Sequence, residues 1–184
     1  MYKDALNINK TLSIAERKAD KLSYSGVKSH VRKNMPKAID RYKLALDKNR
    51  TLGRKANIAS NLGHLGVAYH GSNLKVAIEY YKEASEIDEE LGKITPKWLL
   101  SPGIANNYSN LGNALCADGK PKEAIKYYTK ALDINMKLCN TNKGRASSYG
   151  NLGIAHHNLG LKYHQKENFI EAMQSYDKAI NNYK

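Results

Sequence analysis

Four times this chain spells Ala-(Ile or Met)-x-x-Tyr-x-x-Ala: Ala38 to Ala45, Ala77 to Ala84, Ala124 to Ala131 and Ala172 to Ala179. Spacings of three and four residues put these side chains on one face of a helix. Two small residues let a neighbouring backbone come close, and one flat aromatic fills the gap that remains. A unit of this kind cannot bury its apolar face alone and must stack on copies of itself. The echo therefore names an architecture and a working principle, a stacked surface that binds something, without naming the partner.

The stretch before each block supplies the other half of the unit. In the third copy Tyr108-Ser109-Asn110-Leu111-Gly112 is followed by Leu115, then Gly119 at a turn and Pro121 as a first helical residue, then Ala124, Tyr128 and Ala131. Two helices joined by a short turn make a hairpin. This order of aromatic, Leu-Gly, turn Gly, Ala, aromatic and Ala resembles the tetratricopeptide repeat, whose basic period is about 34 residues. The resemblance implies an all-α fold, a right-handed superhelical solenoid of about four antiparallel helix hairpins in a single domain over residues 1–184. The units fall roughly at 13–53, 54–92, 101–139 and 143–184, and residues 1–12 read as the tail of a preceding unit.

The first alanines of successive blocks lie 39, 47 and 48 residues apart, so each unit carries extra turns or a longer linker. Long helices and Asn-Leu-Gly signatures at 61–63, 110–112 and 151–153 are similar to those of Leu-Gly-Asn-repeat mitotic scaffolds and kinesin light chains. A second Asn158-Leu159-Gly160 follows the one at 151, which lengthens the front helix of the fourth unit by about two turns. In the second unit Leu62-Gly63 and Leu65-Gly66 fit the pattern equally, leaving the frame open. Helices are expected near 13–33, 35–52, 54–70, 74–92, 102–118, 121–139, 144–165 and 168–183. Pro36, Pro102 and Pro121 stand where helices start, with Ser101 as a cap. The interruption from Thr95 to Leu100 holds the single Trp98, read as a linker that tucks its Trp into the solenoid, against an exposed docking element.

Composition agrees with such a module. Apolar content is 41% and charged content 26%, and 13 Tyr against 1 Phe leave the aromatic packing to tyrosine. No apolar run approaches a membrane span and the opening residues carry no signal-peptide core. Cys116 and Cys139 lack Cys-x-x-Cys spacing and read as free thiols of an intracellular, cytoplasmic protein. Charge is uneven: residues 1–55 hold 15 Lys and Arg against 5 Asp and Glu, whereas Glu79, Glu83, Glu86, Asp88, Glu89 and Glu90 form an acidic edge. A basic first third is compatible with nucleic acid, although no reading motif accompanies it.

The front helices line the concave groove in tetratricopeptide domains, and here they lack carboxylates over 54–73, 101–117 and 143–166. An acid and base pair is missing there, so an enzyme is not expected. The Lys and Arg pattern that clamps a terminal carboxylate in related domains is absent too, with Ser109 and Asn113 at those positions. What remains is amide and imidazole: Asn61 with His64, Asn110 with Asn113, and Asn151 followed by His157 and Asn158. Each amide both donates and accepts, which suits a peptide backbone. His157 and His164 share a face, but helical zinc sites use closer spacing with a carboxylate or Cys, so no metal and no cofactor is expected.

These residues describe a scaffold or adaptor that binds a protein or peptide segment along the groove. The alternative is a nucleic-acid-associated helical module using the basic first third. Tyr2 to Asn9 echoes Tyr128 to Asn135, and no polar capping helix follows Ile180 to Lys184. Either the chain is part of a larger array or its uncapped ends are covered by self-association.

Overall fold

The computed structural model describes residues 2–94, 102–137 and 142–166, with residues 170, 171, 173, 174, 177, 178 and 181 beyond them. The described residues form seven helices and no strand: α1 (Tyr2–Val31), α2 (Met35–Thr51), α3 (Lys55–His70), α4 (Leu74–Ile94), α5 (Pro102–Ala117), α6 (Pro121–Lys137) and α7 (Asn142–His164). The chain divides into two compact units, Met1–Leu91 and Gly92–Lys184. The fourth tyrosine block, with Ala172, Tyr176 and Ala179, lies outside the described residues, as do Trp98, Ser101 and Cys139.

In the first unit α1 pairs with α2, and α3 packs on α2. α1 runs unbroken from Tyr2 to Val31 and so begins before the helix start expected near residue 13. No Gly or Pro occurs between Tyr2 and Ser25, so nothing in that stretch halts helix propagation. The turn into α2 closes on Lys33, whose φ of 59° is the chain's one described positive value outside glycine. The Lys33 amide donates to the His30 carbonyl and the Asn34 amide to the Ser29 carbonyl, pairing groups the helix end leaves open. Asn34 then caps α2 by accepting from the Lys37 amide at 3.2 Å, with Pro36 in the first turn. Asn73 caps α4 in the same way through the Val76 amide. Between α2 and α3, Gly53 supplies the left-handed residue at φ 66°.

Each tyrosine block packs as its spacing requires. Ala38, Ala45, Ala77, Ala84, Ala124 and Ala131 are all fully buried, and Tyr42, Tyr81 and Tyr128 nearly so. Every one of these rings lies flat against a glycine of its hairpin partner: Tyr42 on Gly26, Tyr81 on Gly66, Tyr128 on Gly112. A β-carbon on any of the three glycines would fall 2.4 to 2.5 Å from a ring carbon, closer than atoms tolerate. That contact resolves the frame of the second unit in favour of Leu65-Gly66. Around it the first-unit core gathers Tyr42, Leu46, Ile58, Leu62 and Leu65. Arg54 fastens α1 to the start of α3, pairing with Asp20 at 2.9 Å and donating to the buried Asn49.

In the second unit α6 packs between α5 and α7, and α7 also touches α5. Ile104, Ala105, Tyr108 and Ala131 form its core, with Tyr127 and Ile134 against them. The turn from α5 to α6 uses Gly119 at φ 70°, with the Lys120 amide reaching the Leu115 carbonyl at 2.8 Å. Asn135 of α6 donates to Ser148 at 2.9 Å and to the Gly144 carbonyl, tying α6 to the first turns of α7.

Candidate functional site

The glycine under each tyrosine supplies a common ruler for the front helices α1, α3 and α5. Two positions before it stand Tyr24, His64 and Asn110; one position after it stand Val27, Val67 and Asn113. Gly160 keeps the same spacing to Tyr176 as Gly112 to Tyr128, so Asn158 and Leu161 continue the two rows on α7. On this ruler Asn61 with His64 does not repeat Asn110 with Asn113. Asn61 corresponds instead to Asn107, one turn earlier, and both are buried.

Asn61 has only 1% of its surface exposed, and its amide is engaged within the unit. It accepts from the Ser23 hydroxyl at 2.8 Å and donates to the Asn57 carbonyl at 2.8 Å, which joins α3 to α1. An Asn placed there satisfies buried polar groups between helices, a packing role. His64 is half-buried with its ring stacked on Tyr42, centroids 5.0 Å apart. Burial lowers its pKa first and the neighbouring His30 lowers it further, so near neutrality His64 is an uncharged donor and acceptor. The exposed face beside it is apolar, with Tyr24 72% exposed and Val27 and Val67 each more than a third exposed.

The second unit keeps the amide character. Asn106 and Asn113 are exposed on α5 and Asn110 is half-exposed between them, all on one face. On α7 the matching face carries Ile154, His157 and Leu161 exposed, with Asn151 and Asn158 half-exposed. Asn113 is held from behind, accepting the Tyr128 hydroxyl at 2.7 Å. The Cys116 thiol lies within hydrogen-bonding reach of both Tyr128 and Asn158, so one chain of contacts links α5, α6 and α7. Burial raises the pKa of this thiol, and the bonds from Tyr128 and Asn158 only partly offset it. Cys116 is thus a protonated, packed thiol.

Asn110 and Asn113 thus share the open face of α5, Asn151, His157 and Asn158 lie along α7, and Asn61 sits inside the packing. Asn106, Ile154 and Leu161 belong to the same faces but do not stand out in sequence. Their signal is the 48-residue offset between the third and fourth units, which superposes Asn106 on Ile154 and Asn113 on Leu161. Among the described residues no three His, Cys, Asp or Glu side chains gather as metal ligands. No described helix is long and apolar enough to cross a membrane.

The family model for the tetratricopeptide repeat matches residues 103–184. Among solved structures, the chain is similar to the nearly identical TPR-like repeats of a candidate kinesin light chain from Podosopora anserina, at 14% identity with a TM-score of 0.61. That likeness covers 96% of this chain and 90% of the other. BtubC (BKLC) from P. vanneervenii is also similar, at 18% identity and TM-score 0.56, over 95% of this chain and 90% of that one. No curated protein matches the sequence. At these identities the structures speak for the fold alone, an all-α array of helical repeats. The family match thus covers residues 103–184 in the second unit, and the first unit shows the same glycine-on-tyrosine packing at Gly26 and Gly66.

Proposed function

We propose that this chain is a scaffold that binds a segment of another protein on the faces of its front helices and catalyses nothing there. The observation that carries the reading is the second-unit face: Asn106, Asn110 and Asn113 on α5, beside Ile154, His157, Asn158 and Leu161 on α7. Amides at successive turns offer paired donors and acceptors to an extended or helical backbone, and the apolar positions between them give side chains somewhere to rest. No carboxylate occurs on α5 or α7, so the face has neither an acid and base pair nor a carboxylate to neutralise.

The test is selection of binders from a random peptide library against the chain, followed by calorimetry on Asn110→Ala with Asn158→Ala. Each lost hydrogen bond contributes about 0.5 to 1.5 kcal/mol, so the pair weakens a groove-bound peptide by roughly 1 to 3 kcal/mol. Affinity changes little between low and high salt, because the face is neutral. Unchanged affinity in a folded double variant moves the binding site elsewhere. A second reading rests on the first unit, where residues 21–39 hold Lys21, Lys28, Arg32, Lys33 and Lys37 and no carboxylate. If that surface takes nucleic acid, its affinity falls steeply as salt rises.

A further inference from the structure

A cavity of about 330 Å³ opens in the second unit where the start of α6 meets the end of α7. Leu159, Tyr163 and Pro121 give it an apolar wall, and four ammonium groups surround it: Lys120, Lys122, Lys162 and Lys166. The one carboxylate in the lining is Glu123. These cations come from segments far apart in sequence, and neutral partners hold two of them. Lys162 Nζ donates to the Gly119 carbonyl at 2.9 Å, and Lys122 Nζ sits over the Tyr163 ring at 5.0 Å from its centre. A carbonyl and a ring fix an ammonium without cancelling its charge, whereas Lys120 is matched by Asp118 at 2.7 Å. Among the described residues the cavity therefore gathers more lysines than its single carboxylate Glu123 offsets, two of them held by neutral partners beside an apolar wall, and the positive end of α6 adds to the same field.

We propose that this cavity is an anion site for a phosphate monoester carried on a ring-shaped or apolar body. The dianionic group lies among Lys122, Lys162 and Lys166, and the body packs on Tyr163 and Leu159. The volume is at the lower end of pockets that bury small organic ligands, which fits a sugar or aryl phosphate or a single phosphorylated side chain. The site stands apart from the amide face on α5 and α7 and does not depend on what that face binds.

The test is an NMR titration of the 184-residue chain at low salt with phenyl phosphate, and in parallel with a short phosphotyrosine peptide and its unphosphorylated form. Saturable shifts confined to residues 120–123 and 159–166 are expected, along with at least tenfold weaker binding in Lys122→Glu with Lys166→Glu at an unchanged urea midpoint. Lys162→Arg, which can keep the bond to the Gly119 carbonyl, retains binding. Tighter binding of phenyl phosphate than of the peptide identifies a free organic phosphate as the source, and the reverse order identifies a phosphorylated protein segment. The proposal is overturned if neither probe saturates or if the double variant binds as the parent does. It is equally overturned if the unphosphorylated peptide binds as well as the phosphorylated one, or if shifts spread to Lys28, Arg32 and Lys33.

Discussion

Replacing Gly112 by Ala sets two effects of known sign against each other. Alanine is a better helix former than glycine by about 0.8 to 1.0 kcal/mol, so in an open helical position the change stabilises. At Gly112 the added β-carbon falls 2.5, 2.7 and 2.8 Å from three carbons of the Tyr128 ring. That ring is nearly fully buried and its hydroxyl is tied to Asn113, so it has nowhere to move. Overpacking of this kind costs about 1 to 3 kcal/mol, and so close a contact belongs in the upper half of that range. The net is a loss of about 1 to 2 kcal/mol, or roughly 2 to 8 °C in melting temperature for a chain of this length. Gly150 is the control, since it is also helical but an added β-carbon there would have nothing within 4 Å, and Gly150→Ala raises stability by up to about 1 kcal/mol. Urea unfolding followed by helical dichroism measures both. Combining Gly112→Ala with Tyr128→Ala then costs less than the sum of the single changes, because the clash no longer exists. A Gly112→Ala protein as stable as the parent, with Gly150→Ala behaving as expected, refutes the glycine-on-tyrosine account of the repeat.

Lys33→Gly relieves a side-chain residue held at φ 59° and raises stability by about 1 kcal/mol, read from the urea midpoint. Asn61→Ala strands the Ser23 hydroxyl and costs about 1 to 3 kcal/mol, whereas the half-exposed Asn110→Ala changes stability by less than about 0.5 kcal/mol; equal effects contradict the split between packing and surface amides. His64 and His156 both have pKa values lowered by burial, with His30 and Lys178 respectively adding to the effect. The unfolded chain then takes up protons more readily than the folded one, so stability is full above about pH 6.5 and declines as pH falls below it. His64→Gln flattens that decline in urea midpoints between about pH 7.5 and 5.5, and an unaltered slope argues against His64 as a source.

The hairpins and their small-residue seams were legible in the chain itself, because the alternation of Ala and Tyr at helical spacing is a local pattern that needs no partner to be read. Turn residues such as Gly119 and caps such as Asn34 and Asn73 are local in the same sense, since they act on amides only two or three residues away. Only the tertiary structure could choose Gly66 over Gly63, for both glycines satisfy the local pattern and the choice lies in which one meets Tyr81. The same holds for Asn61 and Asn110, alike in their Asn-Leu-Gly context: burial against Ser23 of α1 turns the first into a packing bond, while the second stays on an open face. The lysine cavity is the extreme case. Lys122 and Lys162 are 40 positions apart and become neighbours only when α7 packs on α6, because side chains on separate helices acquire a shared electrostatic environment through packing and not through sequence order.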